Sequence, residues 1–176
     1  MKLGYRSSIF NHGEDAGRYL IISMTIHLSH DTLTPPFYTS LQNYVEEHQI
    51  TDFSPKSIRE MVTEIRWSKL PKPEEMASSG SFFKNVYLDD AEADRLRGMN
   101  VPVWEGNKVP SGWLIDHAGL KGMVFHGMRV SEKAALILIN ESAQSYAHLK
   151  QAREEIVSII EKKYGLTLQQ EPVELE

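Results

Sequence analysis

SSGSFFKN, residues 78–85, sets a glycine between serines and follows it with two adjacent phenylalanines, in the period of neither a helix nor a strand. Neighbouring residues face opposite sides of a strand and diverge by about a quarter-turn on a helix. Both rings are buried together only where the backbone itself is enclosed, so the stretch predicts a segment walled in on both flanks. Lys84 and Asn85 follow at once, and an enclosed backbone beside a cation and an amide marks a candidate site. Gly80 enters conformations that a Cβ forbids, so the Ser81 hydroxyl can be presented from a tight turn. The same residues also read more plainly, Ser81 as a local turn serine and the phenylalanines as ordinary core beside a solvated lysine.

Upstream, Pro71 and Pro73 in KLPKPEE impose an extended approach and close a helix. That helix starts at Ser54 as cap and Pro55 in its first turn, repeats Ile58, Met61, Val62 and Ile65 at helical spacing, and runs to about Trp67. Before it lie a short polar and aromatic stretch around Phe37, Tyr38 and Tyr44 and a loop over His30 to Pro36. Earlier still, Leu20, Ile22, Met24, Ile26 and Leu28 fall on every second position, the pattern of a strand with one buried face over Arg18 to Leu28.

Downstream, a short helix is expected over Leu88 to Arg97, a turn at EGN, and a helix that Pro110 and Ser111 open and Gly119 or Gly122 closes. MVFHGMRV and AALILIN read as two short strands. A long helix from Ser142 to Tyr164 carries Leu149, Ala152, Ile156, Ile159 and Ile160 on one face, with Gly165 as its stop. LTLQQEPVEL returns to an extended pattern and predicts a closing strand. This order lacks the strict strand and helix alternation of a doubly wound sheet, so the fold class is α+β.

The 176 residues include 41% hydrophobic side chains, enough for a core, with a domain boundary expected between Lys69 and Ser79. Twenty-four acidic against 19 basic residues give a net charge of -5, and the basic residues form no cluster, which argues against a nucleic-acid surface. The absence of cysteine excludes disulfides, thiolate metal sites and cysteine nucleophiles, and suits a reducing compartment. A mean hydropathy of -0.37, without a long apolar run or a basic-then-apolar leader, points away from the membrane and toward the cytoplasm. The seven histidines lack H-x-x-x-H spacing, so no metal site is expected. Ser81 has no G-x-S-x-G context, which leaves nucleophilic catalysis unsupported. Taken singly, Arg6 reads as a surface ion-pair partner or an anion ligand, Glu171 as a solvated glutamate, and Trp113 as core.

Four segments, in order, carry a stronger signal: GYRSSIF from Gly4, KLPKP through GSFFKN from Lys69 to Asn85, PSGWLIDHAGLKG from Pro110, and LQQEPVEL around Glu171. Together they resemble the UDP-N-acetylenolpyruvoylglucosamine reductases, also called UDP-N-acetylmuramate dehydrogenases, flavoenzymes of bacterial cell-wall precursor synthesis. GSFFKN and GWLID are similar to the branch of that family with an additional tyrosine loop. The resemblance implies that NADPH reduces FAD and that hydride then passes to the vinyl carbon of UDP-N-acetylenolpyruvoylglucosamine. It further implies that Ser81 protonates the resulting carbanion and that Arg6 and Glu171 stabilise the enolate-like intermediate. Lys69, Asn85, Tyr38 and Lys121 correspond to substrate-binding positions. Where members of the branch carry a tyrosine this chain has Val101, with Trp104 as a replacement stacking surface.

On this resemblance residues 1–68 are the end of the FAD-binding domain, 69–165 the substrate-binding domain, and 166–176 a strand returning to the first. The family's glycine-rich flavin segments lie upstream of GYRSSIF, so the resemblance implies that the principal FAD contacts are absent from this chain. A flavin domain supplied separately, or a second copy, is then the expected protein partner. The alternative from a different class is a redox-silent module that binds a UDP-sugar or a partner protein.

Overall fold

A computed structural model describes residues 8–10, 13, 14, 16–72 and 74–174. The chain divides into two compact units, Met1–Leu33 and Thr34–Glu176. Among its described residues the first unit contains neither helix nor strand. The alternating residues expected to form a strand are bare, with Leu20 87% and Ile22 88% exposed. Alternation is a property of one chain, whereas a strand needs a second backbone to satisfy its N–H and C=O groups. No such ladder forms here among the described residues, so the expected strand over Arg18 to Leu28 is corrected to backbone without regular secondary structure.

The second unit holds two apolar clusters. The smaller joins α1 (Thr39–Glu47) to α2 (Pro55–Lys69) through Leu41, Val45 and Met61, with Phe37, Ile58 and Ile65 around them. The sequence reading missed α1. Its signal is slight: Leu41 and Val45, four residues apart, are the whole of its buried stripe, and Tyr38 supplies no side-chain cap. In α2 the Ser54 hydroxyl accepts the Ser57 N–H at 3.3 Å with Pro55 in the first turn, as expected. The helix ends at Lys69 because Leu70, which precedes Pro71, is driven to an extended conformation.

The larger cluster lies under a four-stranded antiparallel sheet of order β1 (Ala77–Ser81), β6 (Ile137–Asn140), β5 (Met128–Val130), β4 (Val124–Phe125). MVFHGMRV is therefore not one strand but a hairpin. His126 and Gly127 both have positive φ, 49° and 83°, as a tight two-residue connection requires. A short ribbon of β2 (Val86–Tyr87) and β3 (Lys108–Val109) flanks α3 (Asp90–Gly98) and leads into α4 (Ser111–His117). The Asp89 carboxylate caps α3 by accepting the Glu92 N–H at 2.8 Å. Helix α5 (Tyr146–Tyr164) packs on the hairpin and α4, burying Ala152, Ile156, Ile160 and Tyr164 at steps of four. Ser145 caps its start, and Gly165, with φ 70°, stops it where the sequence placed the stop.

Candidate functional site

Residues 82–84 run between two other backbones. On one side the Phe82 N–H donates to the Leu136 carbonyl at 2.7 Å, continuing the alignment of β1 with β6. On the other, the Glu171 N–H donates to the Phe82 carbonyl at 2.7 Å, and the Lys84 N–H to the Gln169 carbonyl at 2.8 Å. Phe83 and Gln170 form the bridge between these two bonds. The enclosure expected from adjacent phenylalanines is present: both rings are buried, edge to face, with centroids 5.0 Å apart. The tail contributes one bridge with flanking bonds in place of the expected regular strand.

Just before this segment β1 carries a bulge. Ser78 pairs with Ile139 and Ser81 with Ile137, so β1 spends one residue more than β6 between these pairs. Gly80 supplies the conformation, with φ +75°, and no atom lies within 4 Å of where its Cβ would stand. Gly80 is thus required by backbone torsion rather than by crowding. The bulge re-aims Ser81, leaving it exposed beside two buried rings.

Just after it, Asn85 Oδ1 accepts the Ser111 N–H at 3.1 Å, and the Ser111 hydroxyl donates to the Lys84 carbonyl at 2.6 Å. Asn85 thereby caps α4 from outside its own sequence, and Ser111, fully buried, is held at both ends. Three of the four sequence segments singled out above meet here: GSFFKN, the start of PSGWLID, and LQQE.

Ser81 and Glu171 are brought together through backbone, since Ser81 precedes the residue whose carbonyl receives the Glu171 N–H. The Glu171 Oε2 atom is withdrawn from solvent. Lys69 and Tyr38 lie elsewhere. Lys69 Nζ donates to Ser40 Oγ at 3.3 Å, two residues from Tyr38, so these two share one end of the α1 and α2 pair. Among the described residues no hydrogen bond or ion pair joins either to Ser81 or Asn85. Lys121 is on the surface beyond α4, 3.2 Å from Asp116 Oδ2. Arg6 lies outside the described residues. Val101 is buried in the larger core, whereas Trp104 is exposed with Lys108 Nζ 5.2 Å from its ring centroid.

The sequence reading overlooked a second layer behind Glu171. Arg153, on α5, donates through Nη1 to both Gln170 Oε1 and Glu174 Oε1. Gln170 Nε2 in turn donates to the Pro172 carbonyl at 2.9 Å and to Glu174 Oε1 at 2.8 Å. The neighbouring Tyr146 hydroxyl, with Gln170 and Arg153, holds the Glu174 carboxyl below the usual carboxylate range. Glu174 in return raises the Tyr146 phenol. The one available signal was Arg153 itself, a charge placed directly after Ala152 on the buried stripe of α5.

A bulged serine, a glutamate paired to the residue that follows it and an amide that caps a neighbouring helix are gathered within an α+β domain. The model of the UDP-N-acetylenolpyruvoylglucosamine reductase C-terminal domain matches residues 72–175, more than half of the chain. The chain is 31% identical over 178 residues to the UDP-N-acetylenolpyruvoylglucosamine reductase of Chromobacterium violaceum, covering 98% of this chain and 52% of that protein. Against the reductase of Pseudomonas aeruginosa the identity is 30% over 177 residues, covering 97% and 52%. Against that of Burkholderia ambifaria it is 32% over 178, covering 97% and 51%. The chain belongs to the UDP-N-acetylenolpyruvoylglucosamine reductase family, and it spans about half the length of the curated relatives it matches. Among the described residues no helix is long and apolar enough to cross a membrane, and no cluster of histidine and carboxylate side chains would hold a metal ion.

Proposed function

We propose that this chain is the substrate-binding and proton-donating part of an FAD- and NADPH-dependent UDP-N-acetylenolpyruvoylglucosamine reductase acting in peptidoglycan precursor synthesis. The observation that carries this reading is the bulge at Gly80, which exposes the Ser81 hydroxyl beside backbone paired to Glu171. Open space over Gly80 suits the close approach of a flat ligand to that hydroxyl. A bound flavin would supply hydride, taken from NADPH, to the vinyl carbon of the substrate.

This chain's residues would handle what remains. Hydride addition makes the terminal carbon a methyl and leaves an electron pair on the adjacent carbon, delocalised into the carboxylate. Ser81 gives its hydroxyl proton to that carbon and regains one from solvent. A neutral hydroxyl is a weak acid, but a carbanion is a strong base, so position matters more than a lowered pKa. By family resemblance Arg6, as a cation, and Glu171, as a hydrogen-bond donor in its acid form, steady the enolate-like charge before protonation. Lys69, Tyr38, Asn85 and Lys121 are assigned to the diphosphate and sugar. Asn85 would do so with Oδ1 already committed to Ser111, which makes it a preorganised contact rather than a mobile one.

Ser81→Ala, assayed in the full-length context with a flavin-binding domain present, tests the assignment. Substrate reduction is expected to fall about 10²- to 10⁴-fold while flavin reduction by NADPH keeps its rate, since the proton is needed only in the second half-reaction. Equal slowing of both half-reactions refutes the role.

A further inference from the structure

We propose that Arg153 is a positioning residue for Glu171, acting through Gln170 and Glu174. The inference rests on the role proposed above for Glu171. Its starting point is that one guanidinium nitrogen bonds two residues that straddle Glu171. Gln170 lies immediately before it, Glu174 three residues after it, and the Gln170 side chain also spans the gap by bonding the Pro172 carbonyl and Glu174. Glu171 is therefore near the apex of a bend whose two feet are held by the same cation.

The bend has no regular secondary structure of its own, and Pro172 has no N–H to offer a ladder. Its backbone attachment to the rest of the fold is the short pairing with Phe82 to Lys84. That pairing fixes where the Glu171 backbone lies, but it ends there and does not reach the chain from Pro172 to Glu174. Arg153 holds that stretch. Its side chain is only 20% exposed, against 43% for its partner Glu174, so the cation is part of the wall under the bend and not a loose surface group. A planar guanidinium with several fixed donors suits two acceptors at once, which an ammonium on a flexible stem matches poorly. Tyr146, in the first turn of the same helix, helps hold the Glu174 carboxyl below the usual carboxylate range. The carboxylate at the bend is thereby referenced to a helix anchored in the core by Ala152, Ile156, Ile160 and Tyr164.

Amide hydrogen exchange on this chain reads the clamp without any reaction. In Arg153→Gln the Glu171 and Lys84 amides, which form the tail ladder, should exchange about tenfold faster or more, while the Val130 and Ile156 amides keep their rates. Glu174→Gln, which preserves shape, should give a smaller change in the same two amides and stands in should Arg153→Gln not fold. Unchanged tail amides, or a uniform rise across the domain, overturn the clamp. In the full-length context with a flavin-binding domain present, Arg153→Gln should lower the rate of substrate reduction about ten- to a hundredfold, with KM and flavin reduction unchanged. Arg153→Lys should restore part of that rate. A released tail with an unchanged rate overturns the positioning role. Should Glu171→Gln itself leave substrate reduction intact, the proposed role of Glu171 fails and the clamp stands on the exchange data alone.

Discussion

Residues 19–28 carry apolar side chains at alternate positions and residues 82 and 83 carry two in succession, yet Leu20 is 87% exposed and Phe83 only 1%. What separates them is their neighbours. Residues 82–84 bond to Leu136 on one flank and to Gln169 and Glu171 on the other. Residues 19–28 enter no ladder among the described residues. Burial in this molecule follows backbone pairing first and side-chain polarity second, because an apolar side chain can be covered only where the adjoining N–H and C=O groups are satisfied. The same pairing that buries Phe82 and Phe83 also sets Glu171 beside Ser81, so the core and the candidate site are one construction.

Phe83→Ala tests this contrast most severely. It removes a fully buried ring at the junction of three segments and should cost about 3–5 kcal/mol in urea denaturation. Ile22→Ala, in the exposed stretch, should change stability by less than about 0.5 kcal/mol. Similar losses at the two positions would mean that the exposed stretch is packed in solution.

Next in size are two glycines with positive φ but different surroundings. A Cβ at Gly127 would stand 2.6 Å from the Ala143 backbone nitrogen, whereas at Gly80 nothing lies within 4 Å. Gly80→Ala should cost only torsional strain, about 1–2 kcal/mol. Gly127→Ala should cost about 1–3 kcal/mol more because backbone must move. Equal costs, measured by urea denaturation, would show that the bulge is as crowded as the hairpin.

How much of this was legible in the sequence follows from the range of the physics involved. Caps and stops are local, so Ser54 with Pro55 and Gly165 were placed correctly from their own neighbours. The α+β class followed from element order. The hairpin was missed because His126 and Gly127 are not one of the commonest turn pairs, and α1 because its buried stripe has only two members. The strand expected at residues 18–28 failed for the opposite reason: its pattern is strong, but pattern cannot supply a partner. In the site, Gly80 and Ser81 were visible as a permissive residue beside a hydroxyl, and Glu171 entered only through family resemblance. The link from Asn85 to Ser111 spans 26 residues and the bonds from Arg153 span 17 and 21, so no local pattern encodes them.

The smallest effect concerns pH, and it separates the tail from the core it is paired with. The Glu174 carboxyl is held below its ordinary range, first by the Tyr146 hydroxyl, then by Gln170 and Arg153. A depressed folded-state pKa means that the stabilising contribution is present above the unfolded value and is lost as pH falls through the folded one. Because Glu174 faces solvent, the loss should be local rather than global. Exchange at the Glu171 and Lys84 amides, corrected for its intrinsic pH dependence, should be constant from neutral pH down to the ordinary carboxylate range and rise only below it. The Val130 amide, inside the sheet, should show no such rise. Glu174→Gln should abolish the pH dependence at the tail while leaving Arg153 bonded to Gln170. If that variant still loosens in acid, Glu174 is not the group that couples the tail to pH.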